Sequence, residues 1–166
     1  IPLKYMARKG KVSRKTKETS ISVEVNIDGK GKYQIDTGIC LLDHMLEQFA
    51  KNSNINLFLR SKGDLEIDLH HTIEDTAIIL GQVISDSLAD RENINRYSSQ
   101  TIIMDESVAK IDIDLCSRSN LNLNIPNLEI PPIAGAIGSL AGSLGAFDFM
   151  SPLVNTPGYR SGLGDC

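Results

Sequence analysis

Hydrophobic and polar residues alternate along several short stretches of this chain, a period typical of half-buried strands. The alternation over residues 20–27 predicts one strand. Gly29-Lys30-Gly31 is a hairpin turn signal, so residues 32–36 are predicted to form the return strand beside it. Residues 55–60 and 64–71 are predicted to form two further strands.

Two other stretches carry apolar residues at helical spacing. The first follows Thr37-Gly38 and ends at Asn52-Ser53-Asn54, with His44 on its polar side. The second runs over residues 73–88. Strands and helices in this order predict a ββαββα unit that closes near residue 90.

The chain after Arg96 begins a second, similar set of strands, predicted at residues 100–104, 108–115 and 121–125. We therefore divide the chain into a first half-domain, 1–94, and a second half-domain, 95–166. A Gly/Ala/Ser-rich run without charges follows at residues 133–146. It is too short and too rich in glycine to predict a membrane span, so no membrane partner is expected.

The junction between the predicted strand 64–71 and the second helix carries His70, His71 and Glu74. Thr72 is a suitable N-cap residue, with Asp75 at a position resembling a capping box. Successive side chains of a strand point to opposite faces, so His70 and His71 are expected to face different partners or different ions. Glu74 is close enough to His70 to bind the same ion.

Imidazole nitrogen and carboxylate oxygen together suit zinc, manganese or iron. The alternative is an ordinary polar loop in which Glu74 complements the positive end of the helix dipole. The spacing alone leaves both interpretations open.

The formal net charge of −4 gives no reason to expect nucleic-acid binding. Residues 1–17 are basic and lack acids, which suits either a nucleic-acid arm, a targeting peptide or a solvated lead-in to the first strand. The lead-in is favoured because no apolar segment follows. The three cysteines are far apart and lack a CxxC pair, which favours a reducing compartment. The expected location is therefore the cytoplasm, or a plastid in a plant.

Taken in order, several motifs resemble those of the imidazoleglycerol-phosphate dehydratase family, with matching spacing from about residue 8 to about residue 121. The matching residues are Arg14-Lys15-Thr16-Lys17-Glu18-Thr19, Thr37-Gly38-Ile39, Leu42-Asp43-His44-Met45-Leu46, Gly63-Asp64-Leu65, His70-His71-Thr72, Glu74-Asp75, Arg96-Tyr97, Asp105-Glu106, Asp114-Leu115 and Arg118.

This resemblance implies a role for each matching residue. His44 and His71 would help to bind one manganese ion, and His70 and Glu74 the other; zinc or iron would also suit these donors. Glu18 would be the acid/base group. The remaining two residues, Arg96 and Arg118, would hold the substrate phosphate through the bidentate donors of their guanidinium groups.

The resemblance also implies the reaction, the fold and the assembly. The reaction is the metal-dependent dehydration of imidazole glycerol phosphate to imidazole acetol phosphate in histidine biosynthesis, catalysed by a hydro-lyase without an organic cofactor. The fold is α+β, with tandem half-domains that each place two helices on one face of a four-stranded sheet (ribosomal protein S5 domain 2-like), the second half being incomplete here. The assembly is a homo-oligomeric shell of about 24 subunits, provided that the second half packs.

The second half departs from the family, which repeats its metal motif there. This chain has no histidine after His71, and its match weakens after about residue 121. Three interpretations follow. The chain is an altered or truncated dehydratase, an inactive relative that serves as an assembly or binding module, or a symmetric oligomer in which first halves pair to complete the metal sites.

Overall fold

The computed structural model describes residues 8–92, 94–104, 107–116 and 122. The predicted strand 121–125 and the Gly/Ala-rich run 133–146 lie outside these residues, apart from residue 122. The elements are β1 (Lys9–Lys15), β2 (Ser20–Asn26), β3 (Tyr33–Asp36), α1 (Cys40–Ser53), β4 (Asn56–Lys62), α2 (His70–Leu88), β5 (Tyr97–Met104) and β6 (Ser107–Asp114).

Strands β1 to β4 form one sheet in the order β1-β2-β4-β3. β1 and β4 are antiparallel to β2, whereas β3 is parallel to β4. α2 packs on β1 and β2, and α1 packs on β3 and β4. Both helices share one apolar core with the sheet, which confirms the α+β class and a four-stranded sheet with two helices on one face. The buried core residues are Ile21, Val23, Val25, Leu46, Ala50, Leu57, Leu59, Ile79, Leu80 and Val83.

The predicted hairpin between β2 and β3 is wrong. β3 crosses to the far side of β4, because β1 and β4 already occupy both edges of β2. The connection is held by Asn56, whose Oδ1 accepts hydrogen bonds from the backbone N–H of Lys30 at 2.8 Å and of Lys32 at 3.0 Å. β1, and not β3, pairs with β2 as the neighbouring hairpin strand. It lies in the basic N-terminal segment, which the sequence predicted to be only a lead-in to the first strand.

The predicted strand over residues 64–71 is also wrong. The backbone oxygen of Asp64 accepts hydrogen bonds from Ile67 N at 2.8 Å and Asp68 N at 3.3 Å, which closes a turn. Ile67 is 77% exposed and Leu69 is 44% exposed, so these two apolar side chains face no core. Asp68 Oδ1 then accepts a hydrogen bond from His70 N at 2.9 Å, and α2 begins at His70.

Thr72 is therefore not an N-cap. It lies inside the first turn of α2, is fully buried, and its Oγ1 has no hydrogen-bond partner among the residues that the structure describes. The residue before the helix, Leu69, makes no capping hydrogen bond with its side chain.

β5 and β6 form an antiparallel hairpin, which confirms two of the strands predicted after Arg96. Arg91 Nη1 donates a hydrogen bond to the backbone oxygen of Cys116, which joins the end of α2 to the end of β6. Among the described residues, no helix is long and apolar enough to cross a membrane.

Candidate metal and acid/base site

His70 and Glu74 face the same side of the first turns of α2. Residues four apart are neighbours on a helix surface, and His70 Nε2 lies 3.0 Å from Glu74 Oε2. Both side chains are about 40% exposed, so a dissolved ion can reach them. With ligand bonds of about 2.1 Å, donors at this spacing subtend an angle of roughly 90° at an ion. The pair therefore fits two adjacent positions of an octahedral metal ion.

His71 points away from His70, as the sequence predicted, but for a different reason. The two residues are consecutive on a helix, where each step turns by about 100°. Their rings are nearly perpendicular, with centroids 6.2 Å apart. His71 Nδ1 instead lies 3.1 Å from Asp64 Oδ2, in the turn before the helix.

Asp64 raises the pKa of the His71 imidazole, first through this hydrogen bond and then through its charge. The carboxylates of Glu18 and Asp68 raise it further. The contact at Nδ1 also fixes the ring and leaves Nε2 as the nitrogen that is open to a ligand.

Glu18 lies in the tight turn between β1 and β2. Thr16 Oγ1 accepts hydrogen bonds from Glu18 N at 3.2 Å and Thr19 N at 2.9 Å, and Thr16 N donates to Thr19 O at 2.8 Å. These local bonds give the turn a defined shape. The Glu18 carboxylate is exposed and lies within electrostatic range of His71.

Asp75 connects this turn to α2, a role that the sequence did not reveal. Its Oδ2 accepts a hydrogen bond from Thr19 Oγ1, and its Oδ1 accepts one from Arg14 Nη1 at 2.7 Å. The Asp75 side chain is 17% exposed. The sequence offered one signal for this connection, namely that Arg14, Thr19 and Asp75 all belong to the matching motifs. The capping-box interpretation instead assigned Asp75 to a local hydrogen bond, which is not found among the described residues.

His44 is exposed on α1, whose start is fixed by Asp43. Asp43 Oδ1 accepts hydrogen bonds from Thr37 Oγ1 at 2.6 Å and Thr37 N at 2.9 Å. Within the described part of the chain, His44 makes no hydrogen bond to His71. No three His, Cys, Asp or Glu side chains among the described residues converge on a metal position either.

Arg96 is far from the two histidines. Its Nε and Nη2 donate to the two carboxylate oxygens of Asp114 at 2.6 and 3.1 Å, and these hydrogen bonds raise the pKa of Arg96. Its guanidinium carbon lies 4.9 Å from the ring centre of Tyr97. Leu115 N donates a hydrogen bond to Arg96 O, and the next residue, Cys116, accepts one from Arg91. Arg91 follows the C-terminal end of α2, so Arg96 lies near that end of the helix.

Residues 70 and 88 mark the two ends of α2, so the helix separates its ends by roughly 27 Å. The structure thus does not bring Arg96 to the His70–Glu74 pair within one chain. The second arginine predicted to bind phosphate, Arg118, lies outside the described residues.

The sequence matches the model of the imidazoleglycerol-phosphate dehydratase family over residues 37–144. It is 53% identical over 114 residues to the imidazoleglycerol-phosphate dehydratase of Chloroherpeton thalassium, a match that covers 69% of this chain and 59% of that protein. It is 48% identical over 126 residues to the enzyme of Agrobacterium fabrum, covering 76% of this chain and 63% of that protein. The chain thus spans about six tenths of the length of these relatives.

Two solved structures are similar in fold. The crystal structure of imidazoleglycerol-phosphate dehydratase from Staphylococcus aureus matches with a TM-score of 0.70 at 22% identity, over 87% of this chain and 85% of that one. The enzyme from Pyrococcus furiosus, in complex with (S)-C348, matches with a TM-score of 0.67 at 28% identity, over 85% of this chain and 80% of that one.

Proposed function

The chain belongs to the imidazoleglycerol-phosphate dehydratase family, and on that premise we propose that it dehydrates imidazole glycerol phosphate to imidazole acetol phosphate in histidine biosynthesis. The observation that carries the proposal is the connection through Asp75. It joins the turn that holds Glu18 to the helix that holds His70, His71 and Glu74. An acid/base group and a set of metal-binding side chains thus lie on two elements that are bonded to each other.

We propose that His70 and Glu74 hold one manganese ion and that His44 and His71 contribute to a second. The 3.0 Å spacing of the His70 and Glu74 donors supports the first assignment, and the contact of Asp64 at His71 Nδ1 supports the second by leaving Nε2 open. When bound to the substrate's imidazole, such ions would favour the deprotonated form of the ring, whose electrons assist the departure of hydroxide from the carbon bonded to it.

Glu18 is proposed to move the proton that the dehydration removes. Its carboxylate accepts this proton from the middle carbon of the glycerol chain, while hydroxide leaves the carbon bonded to the imidazole ring and is protonated to water. The enol left behind then becomes the ketone by a proton shift. The hydrogen bonds of Thr16 hold the backbone of the turn that carries Glu18, so the turn loses little backbone freedom when substrate binds.

We further propose that the complete site forms between chains of a homo-oligomer, as in a family-like shell. Two observations support this arrangement. Among the described residues no three ligands converge, and Arg96 lies beside the opposite end of α2 from His70. A second copy would then supply the missing ligands and the arginines, Arg96 and Arg118, for the substrate phosphate. The expected location of the enzyme is cytoplasmic.

The second candidate function is a catalytically inactive assembly or binding module. One observation favours it: none of residues 72–166 is a histidine, so this segment offers no imidazole for a second set of metal ligands.

A manganese-dependent dehydratase assay separates the two candidates. We expect Glu18→Gln to lower kcat by about 10²–10⁴-fold, because the amide cannot accept the proton. The matched control is Glu24→Gln, since Glu24 is an exposed glutamate of β2 that contacts only Lys11 among the described residues, at 3.3 Å. Equal activities of the two variants would disprove the role of Glu18. Absence of activity in the manganese-loaded wild-type protein would favour the module.

A further inference from the structure

The acid/base turn, defined here as residues 16–19, depends on α2 for its position. Its internal hydrogen bonds all run between Thr16, Glu18 and Thr19, so they set its shape but not its orientation toward the helix. The orientation is set by bonds to Asp75. Thr19 donates to Asp75 Oδ2, and Arg14, at the end of β1, donates to Asp75 Oδ1 at 2.7 Å.

The bond between Thr19 and Asp75 is shielded from water, whereas the Arg14 side chain is 42% exposed. Thr19 is 3% exposed, and the Asp75 side chain is 17% exposed. A hydrogen bond between a buried hydroxyl and a carboxylate is stronger than one at an open surface, because water competes less for either group.

A steric contact fixes the same turn from the other side. A Cβ added to Gly63, at the end of β4, would lie 3.4 Å from Thr19 Cγ2 and 2.0 Å from Thr72 Oγ1. The methyl group of Thr19 and the side chain of Thr72 therefore converge on the bare backbone of Gly63. The turn, the end of β4 and the first turn of α2 meet at one point.

We propose that Asp75 is a positioning residue that fixes Glu18 relative to the metal-binding face of α2. This inference rests on the proposed function of Glu18. Each carboxylate oxygen of Asp75 already accepts a hydrogen bond within the protein, from Arg14 or from Thr19. Its effect on the reaction passes through the place that Glu18 takes.

The test compares Asp75→Asn with Asp28→Asn. Each variant removes the charge of an aspartate that pairs with an arginine at one end of β1. Asp75 pairs with Arg14 beside the turn, and Asp28 pairs with Arg8 at the opposite end, where Arg8 Nη2 lies 2.6 Å from Asp28 Oδ1. We expect Asp75→Asn to lower kcat by roughly tenfold to a hundredfold, with KM and Mn²⁺ affinity nearly unchanged, because a small misplacement of an acid/base group affects the chemical step. Asp28→Asn should retain the wild-type kcat.

A double-mutant comparison distinguishes positioning from general destabilisation. In the Glu18→Gln background, Asp75→Asn should cause no further loss of kcat, because the group that it positions is already disabled. The same fold loss in both backgrounds would overturn the proposal.

Amide hydrogen exchange tests the proposal without any assay. We expect the amides of Glu18 and Thr19 to exchange at least about tenfold faster in Asp75→Asn than in Asp28→Asn, because the turn is released from α2. Thr19→Val, a second variant, should give the same increase, and Thr19→Ser should restore protection. Unchanged exchange in Asp75→Asn and Thr19→Val would overturn the proposal. If the wild-type protein has no dehydratase activity, the proposed function is disproved. The exchange measurements then decide by themselves whether Asp75 positions the turn.

Discussion

Thr19 in the β1–β2 turn donates its hydroxyl hydrogen bond to Asp75 of α2, which lies 56 residues away along the chain. This bond links the two stretches that carry most of the candidate chemistry. It also makes the geometry of the site depend on packing between a turn and a helix, which can be tested by substitutions that change single contacts.

Removing the Thr19 hydroxyl should weaken the folded state. Thr19→Val leaves Asp75 Oδ2 without its donor at a partly buried site, and we expect a loss of about 1–3 kcal/mol in the free energy of unfolding. Thr19→Ser keeps the donor and should lose less. Urea denaturation measures both variants, and equal stabilities would show that the bond contributes nothing.

Gly63 should not tolerate a side chain. In Gly63→Ala, the new Cβ would lie 2.0 Å from Thr72 Oγ1, and Thr72 is fully buried and cannot move aside. We expect a destabilisation of about 1–3 kcal/mol, measured by thermal or urea unfolding. The double variant Gly63→Ala/Thr72→Ala removes the clashing oxygen and should recover part of that loss. A fully stable Gly63→Ala protein would contradict the packing described here.

The two buried threonines of α2 should respond in opposite directions to the same substitution. Thr72 Oγ1 has no hydrogen-bond partner in the described part of the chain, so Thr72→Val should stabilise the protein by about 1 kcal/mol. Thr76 Oγ1 donates to Ser61 Oγ at 3.0 Å, so Thr76→Val should destabilise it by about 1–2 kcal/mol. Urea denaturation of Thr72→Val and Thr76→Val gives the change in unfolding free energy for each variant. If both changes have the same sign, the hydrogen bonding described here is contradicted.

The Asp64–His71 contact should be visible in the titration of His71. Asp64 raises the pKa of His71, so the contact stabilises the folded protein fully below the unfolded-state pKa and loses that effect as pH rises through the folded-state pKa. In metal-free protein kept with a chelator, Asp64→Asn should lower the pKa of His71 toward its ordinary value of 6.5. Histidine NMR titration measures this change, and an unaltered His71 pKa would argue against the contact.

Manganese binding should depend on Glu74. We expect Glu74→Gln to weaken Mn²⁺ binding by at least about tenfold, because the variant removes a charged donor 3.0 Å from His70 Nε2. Calorimetric titration with Mn²⁺ measures the affinity, and Glu24→Gln serves as the control because Glu24 lies on β2 and pairs with Lys11. Identical affinities would remove Glu74 from the proposed ligands.

The sequence by itself determined the type of most elements and one part of the site. β2 and α1 lie close to where their patterns predicted them, because a strand or helix on a core must place its apolar residues on one face. The sequence also predicted that Glu74 lies close to His70, and their side chains do meet, but through helix spacing, since His70 begins α2 and is not part of a strand.

Only the tertiary structure decided which segments meet. β3 pairs with β4 because β1 and β4 occupy both edges of β2, and the Asn56 side chain holds the connection. Alternation contains no information about such partners. The stretch before His70 alternates like a strand, yet hydrogen bonds to Asp64 O close it into a turn. The role of Asp75 was hidden for the same reason: its partners, Thr19 and Arg14, are distant in sequence, and a local pattern records the face of a residue but not its long-range contacts.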